Sequence, residues 1–249
     1  MKSKLDLLII DIDDTFIYHR TVAAANRLFL KFLLRKKFNK FYTTKKSIFL
    51  ILLNFYRIRL NKKVLKLIWT AIKLHLVDCV RRVNNRFFNG SSCEKMIRIW
   101  ANAVVDLNVR ADDYKFSSRV IKENINQKVL KMYNSLRQSK PKVVAITEHF
   151  AIGEDVIKKV LGIDILKSNE FIVKKGMITG CLLNVKHSQD KKRIAERIAK
   201  KFKSKNIGIV IQDYEDTSLL ELKNLKFAAY TKKLKRFIDK KKNIELLRF

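Results

Sequence analysis

The sequence has one proline, six glycines and three cysteines in 249 residues, and each shortage excludes something. Cys79, Cys93 and Cys181 stand far apart, with no CxxC pair and no Cys/His cluster. Neither a disulfide framework nor a zinc site is indicated, and a reducing compartment is expected. The longest uninterrupted apolar run, "IFLILL" at 48–53, falls far short of the roughly 20 residues needed to span a bilayer. A strand-like run begins within a few residues of Met1 and leaves no room for a secretory leader, so a cytoplasmic location is expected.

Acidic residues are also scarce, 23 against 55 Lys and Arg, giving a formal charge of +32. Such a balance suits an anionic partner, nucleic acid or lipid. The abundance of Lys, Ile, Asn and Phe is equally what an A/T-rich coding sequence produces, so the global charge decides nothing alone.

Against that scarcity, "LDLLIIDIDDT" places Asp11, Asp13 and Asp14 directly after an apolar run. The run has the length and composition of a buried parallel strand, and ligands bind at the C-terminal ends of such strands. A helix cap requires one carboxylate. Two carboxylates two residues apart at a strand end suit a hard cation.

"DIDDT" resembles the DxDxT motif that opens the haloacid dehalogenase superfamily of aspartyl-phosphate phosphatases, and segments similar to its other three motifs follow in order. In "VVAITEHF" a strand over 143–146 ends in Thr147, the position of the hydroxyl residue. The passage from "AIGEDVIKKVLGID" to "MITG" is similar to the phosphoserine phosphatase-like branch. "SQDKKRIAERIAKKF" offers Lys191 or Lys192 as the helix-opening lysine. Lys191 fits better, because Ile194, Ala195 and Ile198 follow it at the spacing of a packed helix face. "IGIVIQDYEDT" supplies Asp213 as the first acid of the fourth motif; four residues on, where the family carries a second acid, stands Thr217, with Asp216 one place early.

The resemblance implies an α/β fold: a Rossmann-like parallel-sheet core from 1–18 and 125–249, with an all-helical cap, 19–124, inserted after the first strand. It implies a Mg2+-dependent phosphomonoesterase acting on a small or lipid-linked phosphate ester. Asp11 is then the nucleophile, Asp13 the general acid and base, and Thr147 and Lys191 the ligands of the transferring phosphoryl group. Asp11, Asp213 and the Asp13 carbonyl are the magnesium ligands, with Asp216 as candidate support for the metal. Asp14 reads as a turn residue. The competing expectation, raised by Thr217, is a weakly active or inactive relative whose basic cap binds anionic membrane or nucleic acid.

The segment 19–124 has no proline, and in "AANRLFLKFLLRKK" and "KKVLKLIWTAIKLHLV" apolar residues recur at helical spacing. From Phe16 to Val77 it carries no acid, although at the chain's average a stretch of that length would carry about six. Arg20, Arg27, Lys31, Arg35, Lys40, Lys46, Arg57, Arg59, Lys62, Lys66 and Lys73 alternate there with Phe, Leu and Trp. Two expectations follow: a solvated helical lid, or a face lying on an anionic membrane surface at the inner leaflet. No nucleic-acid motif accompanies the charge.

Overall fold

The computed structural model describes residues 4–13, 15–17, 20–34, 47, 51, 61–87, 94–150, 154–238 and 244–249. Asp14, Cys93, most of the 48–53 run and the basic positions Arg35, Lys40, Lys46, Arg57 and Arg59 lie outside the described residues.

Among the described residues seven strands form one sheet: β1 (Leu7–Ile10), β2 (Lys142–Phe150), β3 (Ile165–Lys174), β4 (Met177–Leu182), β5 (Ile207–Ile211), β6 (Leu225–Tyr230) and β7 (Glu245–Arg248). Their spatial order is β4-β3-β2-β1-β5-β6-β7, and every pairing is parallel except the β3–β4 hairpin. The central strands β1 and β5 are buried at every residue, as Leu/Ile/Val runs covered on both faces must be. Their side chains alternate between two apolar layers. Leu8, Ile10, Val143, Ala145 and Val210 point to one layer; Leu7, Ile9, Val144, Ile146, Ile209 and Ile211 point to the other, where Ala195 and Ile198 cover them.

Between β1 and β2 the described chain is helical: α1 (Arg20–Leu34), α2 (Lys62–Phe87), α3 (Glu94–Asp106), α4 (Ala111–Tyr114), α5 (Ser118–Glu123) and α6 (Gln127–Leu136). Its departure and return lie side by side. Ile17 bridges to Ile125, and the Asn126 amide donates to the Phe16 carbonyl at 2.8 Å. Asn126 then caps α6, its side chain accepting from the amides of Lys128 and Val129.

The inserted helices share a core with the sheet. Ala24, Leu28, Leu67, Trp100 and Val104 belong to the same apolar cluster as Leu8 and Ile10. Aromatic rings carry the contact across: Trp100 Nε1 donates to the Tyr114 hydroxyl at 2.8 Å, Tyr114 meets Phe171 edge-on at 5.3 Å, and Phe171 stacks on Phe150 at 4.0 Å. Arg27, buried on α1, donates to the carbonyls of Lys115 (2.7 Å) and Asp113, and its guanidinium lies 4.3 Å over the Phe116 ring. Burial pulls its pKa down to about 10, with Asp113 opposing the shift. No helix among the described residues is long and apolar enough to cross a membrane.

After β2 the chain continues through α7 (Glu154–Leu161), and after the β3–β4 hairpin through α8 (Ser188–Lys201). Gly162 ends α7 with φ +61°, and a Cβ there would fall 2.5 Å from the Arg137 guanidinium. That guanidinium donates to the Leu161 carbonyl, which also accepts from the Tyr133 hydroxyl. Gly162→Ala is therefore expected to cost about 1 kcal/mol or more, read as a lower midpoint in thermal unfolding. An unchanged midpoint would show that Arg137 gives way freely.

Candidate active site

The C-terminal edge of the parallel sheet gathers the acids that the sequence singles out. Asp11 leaves β1 with its amide still donating to the Val210 carbonyl at 3.1 Å, and the residue is 6% exposed. The β1–β5 register pairs Ile10 with Val210, so continuing it brings Asp213 to the same edge just beyond Asp11. On the other side, Thr147 Oγ1 donates to Asp13 Oδ2 at 3.2 Å. The strand does not stop at Thr147, as the sequence suggests, but runs on to Phe150. Its register with β3 breaks after Ile146, and this irregularity frees Thr147 from regular pairing beside Asp13.

Lys191 stands in the first turn of α8 and is 3% exposed. Its Nζ lies 3.2 Å from Asp11 Oδ1 and 2.6 Å from Asp216 Oδ1. Lys192 turns the other way and pairs with Glu221 at 2.7 Å, partly in solvent. The helix phase explains the difference, since Lys191 shares the inward face with Ala195 and Ile198.

The fourth motif forms a 3₁₀ helix, Tyr214–Glu221, where an α-helix is the commoner continuation. A 3₁₀ helix has three residues per turn, so residue i+3 returns to the side of residue i. Asp216, three after Asp213, comes back over the start of the turn. Its Oδ2 accepts from the amides of Gln212 (3.2 Å) and Asp213 (3.3 Å) while Oδ1 holds Lys191. Thr217 faces away, its hydroxyl donating to the Tyr214 carbonyl at 2.8 Å. Asp213 itself accepts from the Tyr214 amide at 2.8 Å, so it caps the turn while standing at the sheet edge.

Three partners were not singled out from the sequence. Thr15 Oγ1 donates to Asp11 Oδ2 at 3.0 Å; its signal was the final letter of "DIDDT". Glu148, buried after Thr147, adds negative charge near Lys191. Ser218 donates its amide to Ser188 Oγ at 3.1 Å and so ties the 3₁₀ helix to the start of α8; nothing in the sequence marked it.

Burial raises the Asp11 carboxyl well above the ordinary carboxylate range. Lys191 opposes this, but the charges of Asp216 and Asp13 add to it. Lys191 is drawn the other way: burial disfavours its charge, yet Asp11 and Asp216 together hold it protonated well above its usual range. Asp11, Asp216 and Glu148, all buried, thus face one buried ammonium, with Asp13 buried beside Asp11. Among the described residues no three His, Cys, Asp or Glu side chains group as a cation cage. The donor set expected for Mg2+ has only two carboxylates, Asp11 and Asp213, with the Asp13 carbonyl. These are hard oxygen donors in a site with surplus negative charge, and they fit such an ion.

Neither a family model nor a curated protein sequence matches the chain. Solved structures do. A phosphoserine phosphatase in its apo form aligns over 98% of this chain and 94% of its own, with a TM-score of 0.56 and 16% identity. A phosphoserine phosphatase holding a phospho-aspartyl intermediate analogue aligns over 99% and 94%, with 0.54 and 14%. The chain has the phosphoserine phosphatase-like fold. A cytosolic 5'-nucleotidase IIIB bound to cytidine, at a TM-score of 0.55 and 8% identity over 98% of this chain and 80% of its own, shares that fold. The likeness spans the inserted helices as well as the sheet.

Proposed function

We propose that the protein is a Mg2+-dependent phosphomonoesterase that works through an aspartyl-phosphate on Asp11. The observation that carries this reading is Lys191, buried and fixed between Asp11 and Asp216 at the sheet edge. A buried ammonium held by two carboxylates is a costly arrangement for stability alone. It is the arrangement needed to let a carboxylate approach a phosphate dianion.

Asp11 Oδ attacks phosphorus, the bond from phosphorus to the ester oxygen breaks, and Asp13 gives its proton to the departing alkoxide. Asp13, now a carboxylate, takes a proton from water as the water oxygen attacks phosphorus. The Asp11–phosphorus bond breaks and inorganic phosphate leaves. Thr147, hydrogen-bonded to Asp13, stands where its hydroxyl can turn to a phosphoryl oxygen. Thr15 orients Asp11, and Lys191 offsets the charge that accumulates on the phosphoryl oxygens. Asp11, Asp213 and the Asp13 carbonyl would hold Mg2+, which when bound would supply Lewis-acid charge to the reaction. The inserted segment, 19–124, acts as the cap that selects the ester, small or lipid-linked.

Hydrolysis of an aryl phosphate by the purified protein is expected with Mg2+ and is expected to stop in excess chelator. Full activity in chelator would overturn the metal assignment. A second prediction separates two roles for Asp216. Its contacts are with Lys191 and with the turn, so Asp216→Asn should lower kcat at saturating Mg2+ by about tenfold or more, the scale of a lost charge-assisted hydrogen bond. The Mg2+ concentration for half-maximal rate should change less than kcat does. A shift confined to that concentration would make Asp216 a support of the metal instead.

A further inference from the structure

We propose that the outward face of α2 is a docking surface for anionic lipid. Leu65, Ile68, Trp69, Ile72 and Leu76 recur at i, i+3, i+4, i+7 and i+11, the spacing of one helix stripe, and all five are exposed, Trp69 at 57% and Leu76 at 61%. The opposite face already satisfies the fold: Val64, Leu67 and Thr70 are buried there. The exposed stripe is thus not a misplaced core face. Five large apolar side chains in one row on the surface of a protein mark a contact site.

Charge says what the contact is with. Lys62, Lys66 and Lys73 run along one side of the stripe, and no acid occurs on α2 before Asp78. Lys66 is paired with Asp106 at 2.7 Å, which offsets its charge, and Lys73 Nζ lies 5.3 Å over the Trp69 ring, so Lys73 is positioned beside the apolar residues. The partner must therefore be apolar and anionic together. A nucleic acid offers phosphates and stacking bases, which suit Trp69 but give little to an aliphatic row of Leu65, Ile72 and Leu76. A second copy would bring another body of charge +32 against the first. An anionic bilayer interface meets both demands, with Trp69 at headgroup depth and lysines against the phosphates. The inference stands on α2 and does not rest on the hydrolytic reading.

The test is co-sedimentation with vesicles of phosphatidylglycerol and phosphatidylcholine (1:1) and of phosphatidylcholine alone, across a salt series, with tryptophan emission read in parallel. Trp100 is buried, so a blue shift on binding reports Trp69. The expected result is binding to the anionic vesicles only, weakening as salt rises, with a blue shift. Leu65→Ser and Leu76→Ser are exposed substitutions that leave the core intact, and each should weaken binding about tenfold, the scale of one buried apolar anchor. Lys62→Glu with Lys73→Glu should weaken it further and flatten the salt dependence. Binding unaffected by these variants, equal binding to both vesicle types, or no binding at low salt would each overturn the proposal. So would self-association in the absence of lipid that Leu65→Ser abolishes, since the stripe would then serve a second copy.

Discussion

Asp11→Asn is expected to bring hydrolysis of an aryl phosphate down to background while leaving the protein folded. The asparagine amide occupies the volume of the carboxyl and still offers Lys191 an oxygen, but it has no carboxylate to attack phosphorus. The fold should tolerate the change well. In the native protein burial disfavours the Asp11 charge, Lys191 offsets this only in part, and Asp216 and Asp13 add to it, so a neutral group is the less costly occupant. Near neutral pH, where wild-type Asp11 must ionise to act, the variant's unfolding midpoint is expected at or above that of wild type in metal-free buffer. An inactive variant that also melts early would show only that the site had collapsed. An active one would remove Asp11 from the role of nucleophile.

Lys191→Ala should cost at least about 100-fold in kcat/KM, the scale of removing one fixed transition-state donor. Here the fold should suffer too. Asp11 and Asp216 would be left buried without their shared cation, and breaking a buried pair in this way typically costs about 3–5 kcal/mol. Lys192→Ala removes only the partly exposed contact with Glu221, so activity and midpoint should both stay close to wild type. Steady-state kinetics and thermal unfolding on the two variants check both halves. A large loss from Lys192→Ala with a small one from Lys191→Ala would shift the site by one residue along α8.

The sheet was legible because buried parallel strands need unbroken apolar runs, and "LLII", "VVAI" and "IGIVI" are such runs, the first leading directly to Asp11 and the last to Asp213 after one residue. The inward direction of Lys191 was legible for a related reason, since Ile194, Ala195 and Ile198 fix the phase of the helix. Asp216 was read less completely. Its distance from Asp213 has meaning only once the helix type is known, and the sequence motif carries no clear sign that residues 214–221 wind at three residues per turn. On an α-helix Thr217 would have returned to the site; on this one Asp216 does. The run of β2 past Thr147 escaped notice because a break in register depends on the neighbouring strand, which a local pattern does not contain. The basic character of 16–77 was plain, whereas the division of α2 into a packed side and an outward stripe became visible only with α1 and α3 in place.

The bridged pair Ile17 and Ile125 has a consequence for how such a protein changes over generations. A segment whose two ends meet is topologically a single long loop, and loops of that kind can be lengthened, shortened or traded between lineages without reconnecting the sheet. The carboxylates at Asp11 and Asp13 sit just upstream of that junction and need not move when it is reused. The constraint on any replacement is coverage: it must again offer apolar side chains where Leu28, Trp100 and Val104 now shield the sheet. Within that limit, and on the proposed reading of the insertion as a substrate-selecting cap, a new substrate range would be reachable by recombination at two neighbouring points, with the proposed reaction chemistry inherited unchanged.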